Sequence, residues 1–150
     1  MNNVSKKELF KQLINESSEI VVFTGAGIST ESGIPDFRSP GGLWTKFKPI
    51  DFESFMSSED VRIESWRRKF NIDNTISKAK PNKGHEAIAH LVKKGKVNAV
   101  ITQNIDNLHQ DSGVPMDKII ELHGNTTYAI CLSCKKRYEI NVIKKEFLKT

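Results

Sequence analysis

Four consecutive apolar residues, Ile20-Val21-Val22-Phe23, run directly into Thr24-Gly25-Ala26-Gly27. An unbroken β-branched run of this kind reads as a strand covered on both faces, the situation of strands in a parallel sheet. Glycines placed immediately after such a strand let the backbone approach a ligand closely, with N–H groups pointing at it, which suits the pyrophosphate of a dinucleotide. A G-x-G pair by itself is equally compatible with a plain tight turn. The third glycine of the dehydrogenase fingerprint is missing, because Thr30 stands in its place, so hydride transfer is not the natural reading.

The rest of the chain supports a sheet of this type. Ser5 and Glu8 form a capping box that opens a helix over residues 6–16, with Leu9, Phe10, Leu13 and Ile14 on one face. The stretch from Thr24 to Lys48 reads as a long irregular loop, and its embedded Phe37, Leu43 and Trp44 argue against disorder. Residues 59–70 read as a helix and 71–80 as a polar connection. Pro81 and Asn82 open another helix that Gly95 ends. Val97 to Thr102 is a second buried strand, Asn104 to Gln110 a short helix, and Lys118 to Leu122 a third strand ending at His123-Gly124. Strand, helix, strand, turn, strand predicts an open parallel α/β sheet. Ligands of such sheets lie beyond the carboxyl ends of the strands. All three strands carry polar residues there: the Thr24–Gly27 turn, Gln103-Asn104-Ile105-Asp106, and His123.

Composition narrows the function classes. Of 150 residues, 37% are hydrophobic and 27% charged, an ordinary globular balance. The net charge of +5 suits anionic ligands. No basic stripe interleaved with stacking aromatics is present, so no specific nucleic-acid partner is expected. No apolar run approaches a membrane span and the start lacks a signal-peptide core, so a cytoplasmic chain with no membrane partner is expected.

Several side chains carry candidate chemistry. A histidine at a strand end, such as His123, packs or caps in the bland reading and can act as a base near neutral pH in the functional one. Asn104 and Asp106 can hold ribose hydroxyls and a carboxamide, or one of them can cap the following helix. Arg38 can pair with a phosphate or with a surface carboxylate, and Ser29 can hydrogen-bond to a phosphate. His85 and His109 read as structural, His90 as a helix-surface residue. Cys131 and Cys134, spaced C-x-x-C, supply half of a tetrahedral zinc site. A redox pair is the alternative, but that motif normally opens a helix. A complete ribbon needs a second cysteine pair about 15–20 residues on, and no Cys or His follows Cys134.

Gly25-Ala26-Gly27-Ile28-Ser29, Gly33-Ile34-Pro35-Asp36-Phe37-Arg38, Thr102-Gln103-Asn104-Ile105-Asp106 and His123-Gly124 resemble the signature motifs of the sirtuin family, in family order and at similar spacing. The resemblance covers about residues 5–140. It implies a Rossmann-like open parallel sheet with an inserted small zinc-binding module, only partly present. The division is 1–125 for the NAD-binding catalytic part and 126–150 for the start of the zinc ribbon. It implies an NAD-dependent protein-lysine deacylase that consumes NAD, releases nicotinamide and passes the acyl group to ADP-ribose, with acyl-lysine proteins or peptides as partners. The carbonyl oxygen of the acyl-lysine attacks the ribose carbon that carries nicotinamide. His123 is then the general base that activates a ribose hydroxyl, and Asn104 orients the ribose. The implied cofactor set is Gly25, Ala26, Gly27, Ser29, Ile34, Asp36, Phe37, Arg38, Gln103, Asn104, Ile105 and Asp106, with Phe37 shielding the nicotinamide face. Cys131 and Cys134 become ligands of a structural zinc.

A sirtuin core is much longer than this chain, so the resemblance implies a truncated core with weak or no activity by itself. Arg67 or Arg68 falls near the arginine that acidic-acyl sirtuins use, but Glu64 or Ser65 stands where their tyrosine belongs. Deacetylation is therefore expected over desuccinylation. Mono-ADP-ribosyl transfer and a non-enzymatic NAD- or ADP-ribose-binding fragment are the competing readings.

Overall fold

The computed structural model describes residues 5–36, 39–40, 42 and 48–149. Helix α1 (Lys6–Glu16) starts as its cap dictates: Ser5 Oγ accepts the Glu8 N–H at 3.2 Å and the Glu8 carboxylate accepts the Ser5 N–H at 3.0 Å. On its apolar face Leu9, Phe10 and Leu13 are exposed and Ile14 is half-buried. Lys96 Nζ ties the end of this helix to the segment before the second strand by donating to Asn15 O and Ser17 O.

Strands β1 (Ile20–Thr24), β2 (Val97–Thr102) and β3 (Ile119–Glu121) form one parallel sheet in the order β1-β2-β3. Helix α4 (Lys83–Lys93) is the crossover between β1 and β2. It is capped by Asn82, whose side chain accepts the Gly84 N–H, and ended by Gly95 at φ +70°. Its Ile88, Ala89, Leu91 and Val92 pack on Ile20, Val22, Val97, Val100 and Ile119 to make the main core. The expectation of strands covered on both faces holds for one face only. On the other, the register row Phe23–Ile101–Ile120 runs beside Val21, and Val21 and Phe23 are about 60% exposed. The apolar run encodes a demand for two covers, and the described residues supply one.

Three element boundaries differ from the sequence reading. The segment after β1 is not structureless: residues Ala26–Ser32 form a 3-10 helix that stops at Gly33, φ +85°. Helix α3 (Glu59–Ile76) follows a short α2 (Phe52–Ser57) and runs six residues past Phe70. Ile72 and Ile76 continue its apolar stripe at i, i+4 and pack with Ile34, Leu108 and Ala79 in a second core. This tertiary partner keeps a polar-looking stretch helical. Helix α5 (Leu108–Asp111) begins four residues later than expected. Asn107 takes φ +67° and Asp106 Oδ1 accepts the Leu108 N–H at 3.0 Å, which caps the helix there.

The remaining chain forms an antiparallel hairpin of β4 (Tyr128–Ile130) and β5 (Arg137–Glu139), followed by α6 (Ile140–Phe147). The Arg137 guanidinium lies 3.9 Å from the Tyr128 ring centroid across this hairpin. Phe147 packs on Phe70, with ring centroids 5.4 Å apart, and fixes α6 against α3. No described helix is long and apolar enough to cross a membrane.

Candidate functional site

The carboxyl ends of the three strands open into a cleft of about 830 Å3. Gly25, Ala26 and Gly27 line it from the first strand, Gln103, Asn104 and Ile105 from the second, and His123 from the third, with Asp36 at the far side. These are segments that the sequence placed at the ligand edge, and the fold brings them together. A Cβ added at Gly25 or Gly27 would meet no heavy atom within 4 Å, so the turn presents bare backbone toward open space. That is the property a bulky anionic ligand needs at this point.

His123 is exposed at the rim of the cleft, and its Nδ1 lies 3.0 Å from the backbone carbonyl of Gln103. A carbonyl can only accept, so Nδ1 carries the proton and Nε2 of the neutral ring is the lone-pair nitrogen. The bond also fixes the ring against the neighbouring strand end.

Asn104 and Asp106 are buried rather than displayed. The Asn104 amide donates to Gly25 O and to Ser29 Oγ, both at 3.1 Å. Ser29, 1% exposed, donates its hydroxyl proton to Asp106 Oδ2 at 2.6 Å. The Ser29 hydroxyl, expected to contact a phosphate, is here directed inward, to the Asp106 carboxylate. A smaller apolar pocket of about 50 Å3 adjoins this cluster, lined by Ala26, Ser29, Ile34, Ile72, Ile105 and Asp106 among others. Asp36 accepts from the backbone and the hydroxyl of Ser39. Phe37 and Arg38 lie outside the described residues.

Some contributors were named in the sequence only as parts of a motif or not at all. Thr24 and Thr102 end their strands side by side, are paired in register and are hydrogen-bonded at 2.9 Å. Thr102 Oγ1 accepts the Asn104 N–H at 3.0 Å. The signal was available: both buried strands close on a threonine immediately before the polar residues. Ile72 and Ile76 enter the site only through the extension of α3, whose one local sign is their i, i+4 spacing within a polar stretch.

Cys131 and Cys134 sit in the turn of the β4–β5 hairpin, where Cys131 N donates to Lys136 O and Lys135 N, at φ +60°, to Cys131 O. The Cys131 thiol is held below its ordinary value, chiefly by the backbone N–H of Cys134 and then that of Ser133. Among the described residues no group of three or more His, Cys, Asp or Glu side chains converges as a metal site.

A parallel sheet crossed by a helix, with a glycine turn and polar residues at its carboxyl edge, defines a Rossmann-like α/β protein. The sequence profile described as the Sir2 family matches residues 25–150, and the chain belongs to that family. An NAD-dependent protein deacetylase of Rhodopseudomonas palustris is 56% identical over 143 residues, covering 95% of this chain and 56% of the relative. A protein of the same name from Thermotoga maritima is 46% identical over 143 residues, covering 93% and 56%. The structure of a Sir2 protein with a p53 peptide and NAD+ superposes with a TM-score of 0.82 at 40% identity, over 97% of this chain and 57% of that one. A Sir2 variant with a deacetylated p53 peptide and 3′-O-acetyl-ADP-ribose superposes with a TM-score of 0.85 at 41% identity, over 97% and 58%. The chain spans about half the length of the curated relatives it matches.

Proposed function

We propose that this chain carries the nicotinamide-side half of the NAD site of a protein-lysine deacetylase. Residues 1–125 form the Rossmann-like part and 126–150 begin a zinc module. The observation that carries the reading is the His123–Gln103 hydrogen bond, which orients the imidazole at the cleft and leaves Nε2 free of that bond. A mere binding edge has no need of an oriented base.

The residues fit the cofactor that the relatives' names imply. The bare Gly25–Gly27 turn suits a pyrophosphate, and the cleft beside it has room for a nucleotide. Bound NAD would supply a ribose carbon from which nicotinamide departs, with an acyl-lysine supplying the attacking oxygen. His123 Nε2 takes the proton of a hydroxyl held in the cleft. Asn104 and Asp106 form the polar wall at the mouth of the small apolar pocket, which suits the carboxamide of nicotinamide. Gln103 and Ile105 would flank the ribose, Ile34 and Asp36 would contribute from the segment after the 3-10 helix, and the family resemblance adds Phe37 and Arg38 to the cofactor set. Cys131 and Cys134 fit two corners of a structural zinc, since the N–H groups of the turn favour the thiolate that zinc requires.

Two measurements test this reading. Calorimetric titration of the chain with ADP-ribose should show binding that Asp106→Ala weakens. Fusing residues 1–150 to the C-terminal half of the Rhodopseudomonas palustris relative should give nicotinamide release that depends on an acetyl-lysine peptide, whereas the chain alone turns over weakly. Radiolabel passing from NAD onto protein instead would identify an ADP-ribosyltransferase. A fusion that folds and binds ADP-ribose without releasing nicotinamide would sink the enzymatic reading.

A further inference from the structure

His123 sits in the middle of a turn whose two shoulders, Glu121 and Asn125, are bonded to each other. Asn125 Nδ2 donates to Glu121 Oε1 at 2.6 Å, which closes a ring of chain around His123, and Gly124 turns the backbone at φ +78°. Neither Glu121 nor Asn125 lines the cleft. The Glu121 carboxylate also collects donors from two other elements. Gln110 Nε2 of α5 donates to Oε1 at 2.6 Å, and the Tyr128 hydroxyl at the start of β4 donates to Oε2 at 3.1 Å. A carboxylate only accepts, so it takes the amide protons and the phenolic proton together. Burial first, and then the bond to Glu121, push the Tyr128 hydroxyl above its ordinary value, which keeps its proton available for that bond.

The same turn is laced to the segment that carries Asn104 and Asp106. The second N–H of the Asn125 amide goes to Asn107 Oδ1 at 2.9 Å, while Asn125 Oδ1 accepts the Thr127 N–H at 2.9 Å. On one side of His123 the Leu122 N–H donates to Thr102 O, and on the other the Thr126 N–H donates to Ile105 O. Between these ties His123 Nδ1 reaches Gln103 O at 3.0 Å. N–H···O bonds are confined to about 2.7–3.2 Å, so a small displacement of the turn is enough to part the exposed ring from its carbonyl.

We propose that Glu121 and Asn125 are positioning residues for His123: the bond between them holds the turn where Nδ1–H meets Gln103 O, and so keeps the lone pair of the ring on Nε2. Which nitrogen of a histidine carries the proton is set by the bond the other makes or lacks. Asn125 fixes the turn to Asn107, next to Asp106, and Glu121 fixes it to α5 and to the hairpin. The position of the ring is thereby referred to the wall of the cleft it serves. The inference rests on the proposed NAD site for its catalytic meaning, but the tautomer can be read without it.

Long-range nitrogen–proton correlation spectra of the nitrogen-15-labelled chain, recorded at about pH 8.5 where ordinary histidines are neutral, report the tautomer of each ring. His123, identified by the signal missing from His123→Ala, should carry its proton on Nδ1. An Nε2–H ring there would overturn the proposal. Asn125→Asp keeps the size of the side chain and the acceptor for Thr127 but cannot donate to Glu121. It should shift His123 to the Nε2–H form that an unconstrained ring prefers. Adding Glu121→Gln supplies a donor from the other side and should restore Nδ1–H. An unchanged tautomer in the single variant, or no restoration in the double variant, would refute the pairing. The buried His85 and His109 rings show in the same spectra whether the sheet is intact. If Asn125→Asp disturbs them, Asn125→Ser is read in its place, with the same shift expected. ADP-ribose affinity of the single variant should stay within about three-fold of the parent, because the turn positions a base rather than a binding wall. A loss as large as that of Asp106→Ala would overturn that role. Failure of the unsubstituted chain to bind ADP-ribose would count against the proposed function and leave the tautomers to decide the pairing.

Discussion

The Ser29 hydroxyl donates to the Asp106 carboxylate at 2.6 Å, across 77 positions of sequence and out of contact with solvent. This bond, with the Asn104 amide on the same serine oxygen, latches the segment after β1 to the segment after β2. The two halves of the cleft are held by side chains that the sequence presents as ligand contacts.

Removing that latch should be expensive. Ser29→Ala leaves a carboxylate oxygen and an amide proton without their partner in a site closed to water. A loss of about 1–3 kcal/mol is expected, read as a lower urea midpoint with unchanged slope. An unchanged midpoint would mean that the serine bond is replaced by water and that the site is more open than its burial indicates.

Substituting His123 should separate chemistry from binding. The imidazole stands at the rim and among the described residues is bonded only to a backbone carbonyl, so His123→Ala should leave the Ser29–Asn104–Asp106 cluster intact. In the fusion enzyme, deacetylation should fall by about 10²–10⁴-fold, the usual contribution of a positioned base. ADP-ribose affinity should change little. A comparable loss of affinity would recast His123 as a binding residue.

Acid should weaken the fold through the buried imidazoles. Burial is the first cause that lowers both rings from the usual histidine value, and His109 is lowered to about 4, with the neighbouring His85 the next cause. The unfolded chain takes up protons near pH 6.5 while the folded chain resists until about pH 4. Stability is therefore full above pH 6.5 and falls as the pH drops from 6.5 to 4, by up to about 3 kcal/mol for His109. His109→Leu should flatten this part of the stability profile. An unaltered acid limb in that variant would assign the effect elsewhere.

The hairpin cysteines should bind a metal together, and Cys131 should be the more reactive thiol. Because backbone N–H groups lower the Cys131 thiol, iodoacetamide should label Cys131 at neutral pH faster than it labels an ordinary free thiol. Zinc should suppress the labelling of Cys131 and Cys134 together, and Cys131→Ser should abolish the protection at Cys134. Protection that survives this substitution would argue against a shared metal.

Acyl preference in the proposed enzyme is expected to reflect the Arg68–Glu64 salt bridge. Arg68 Nε lies 2.6 Å from Glu64, and its Nη1 donates to Lys48 O. The paired Glu64 carboxylate offsets the charge of this guanidinium and would itself repel an acidic acyl group. The fusion enzyme should prefer acetyl-lysine to succinyl-lysine peptides, and Glu64→Gln should narrow the gap. Faster desuccinylation by the parent enzyme would overturn this assignment.

Much of the scaffold is written locally. Ile20–Thr24 and Val97–Thr102 announce themselves by unbroken β-branched runs, and the helix after Asn82 by its cap, stripe and terminal glycine. The Ser5–Glu8 box fixes a helix end to the residue. The positions at the cleft edge were legible for the same reason, since a parallel sheet puts its strand ends on one side. The length of α3 was not legible, because Ile72 and Ile76 are held helical by Ile34 and Leu108, residues distant in sequence. The direction of Ser29 was equally hidden. Its short side chain can serve a phosphate or a carboxylate, and only the placement of Asp106 beside it decides between them. The sequence by itself determined which residues meet at the edge of the sheet, because strand direction and turn chemistry are properties of short segments. The tertiary structure alone decided which of them face the cleft and which hold it together, because a hydrogen bond is assigned by the nearest complementary partner in space.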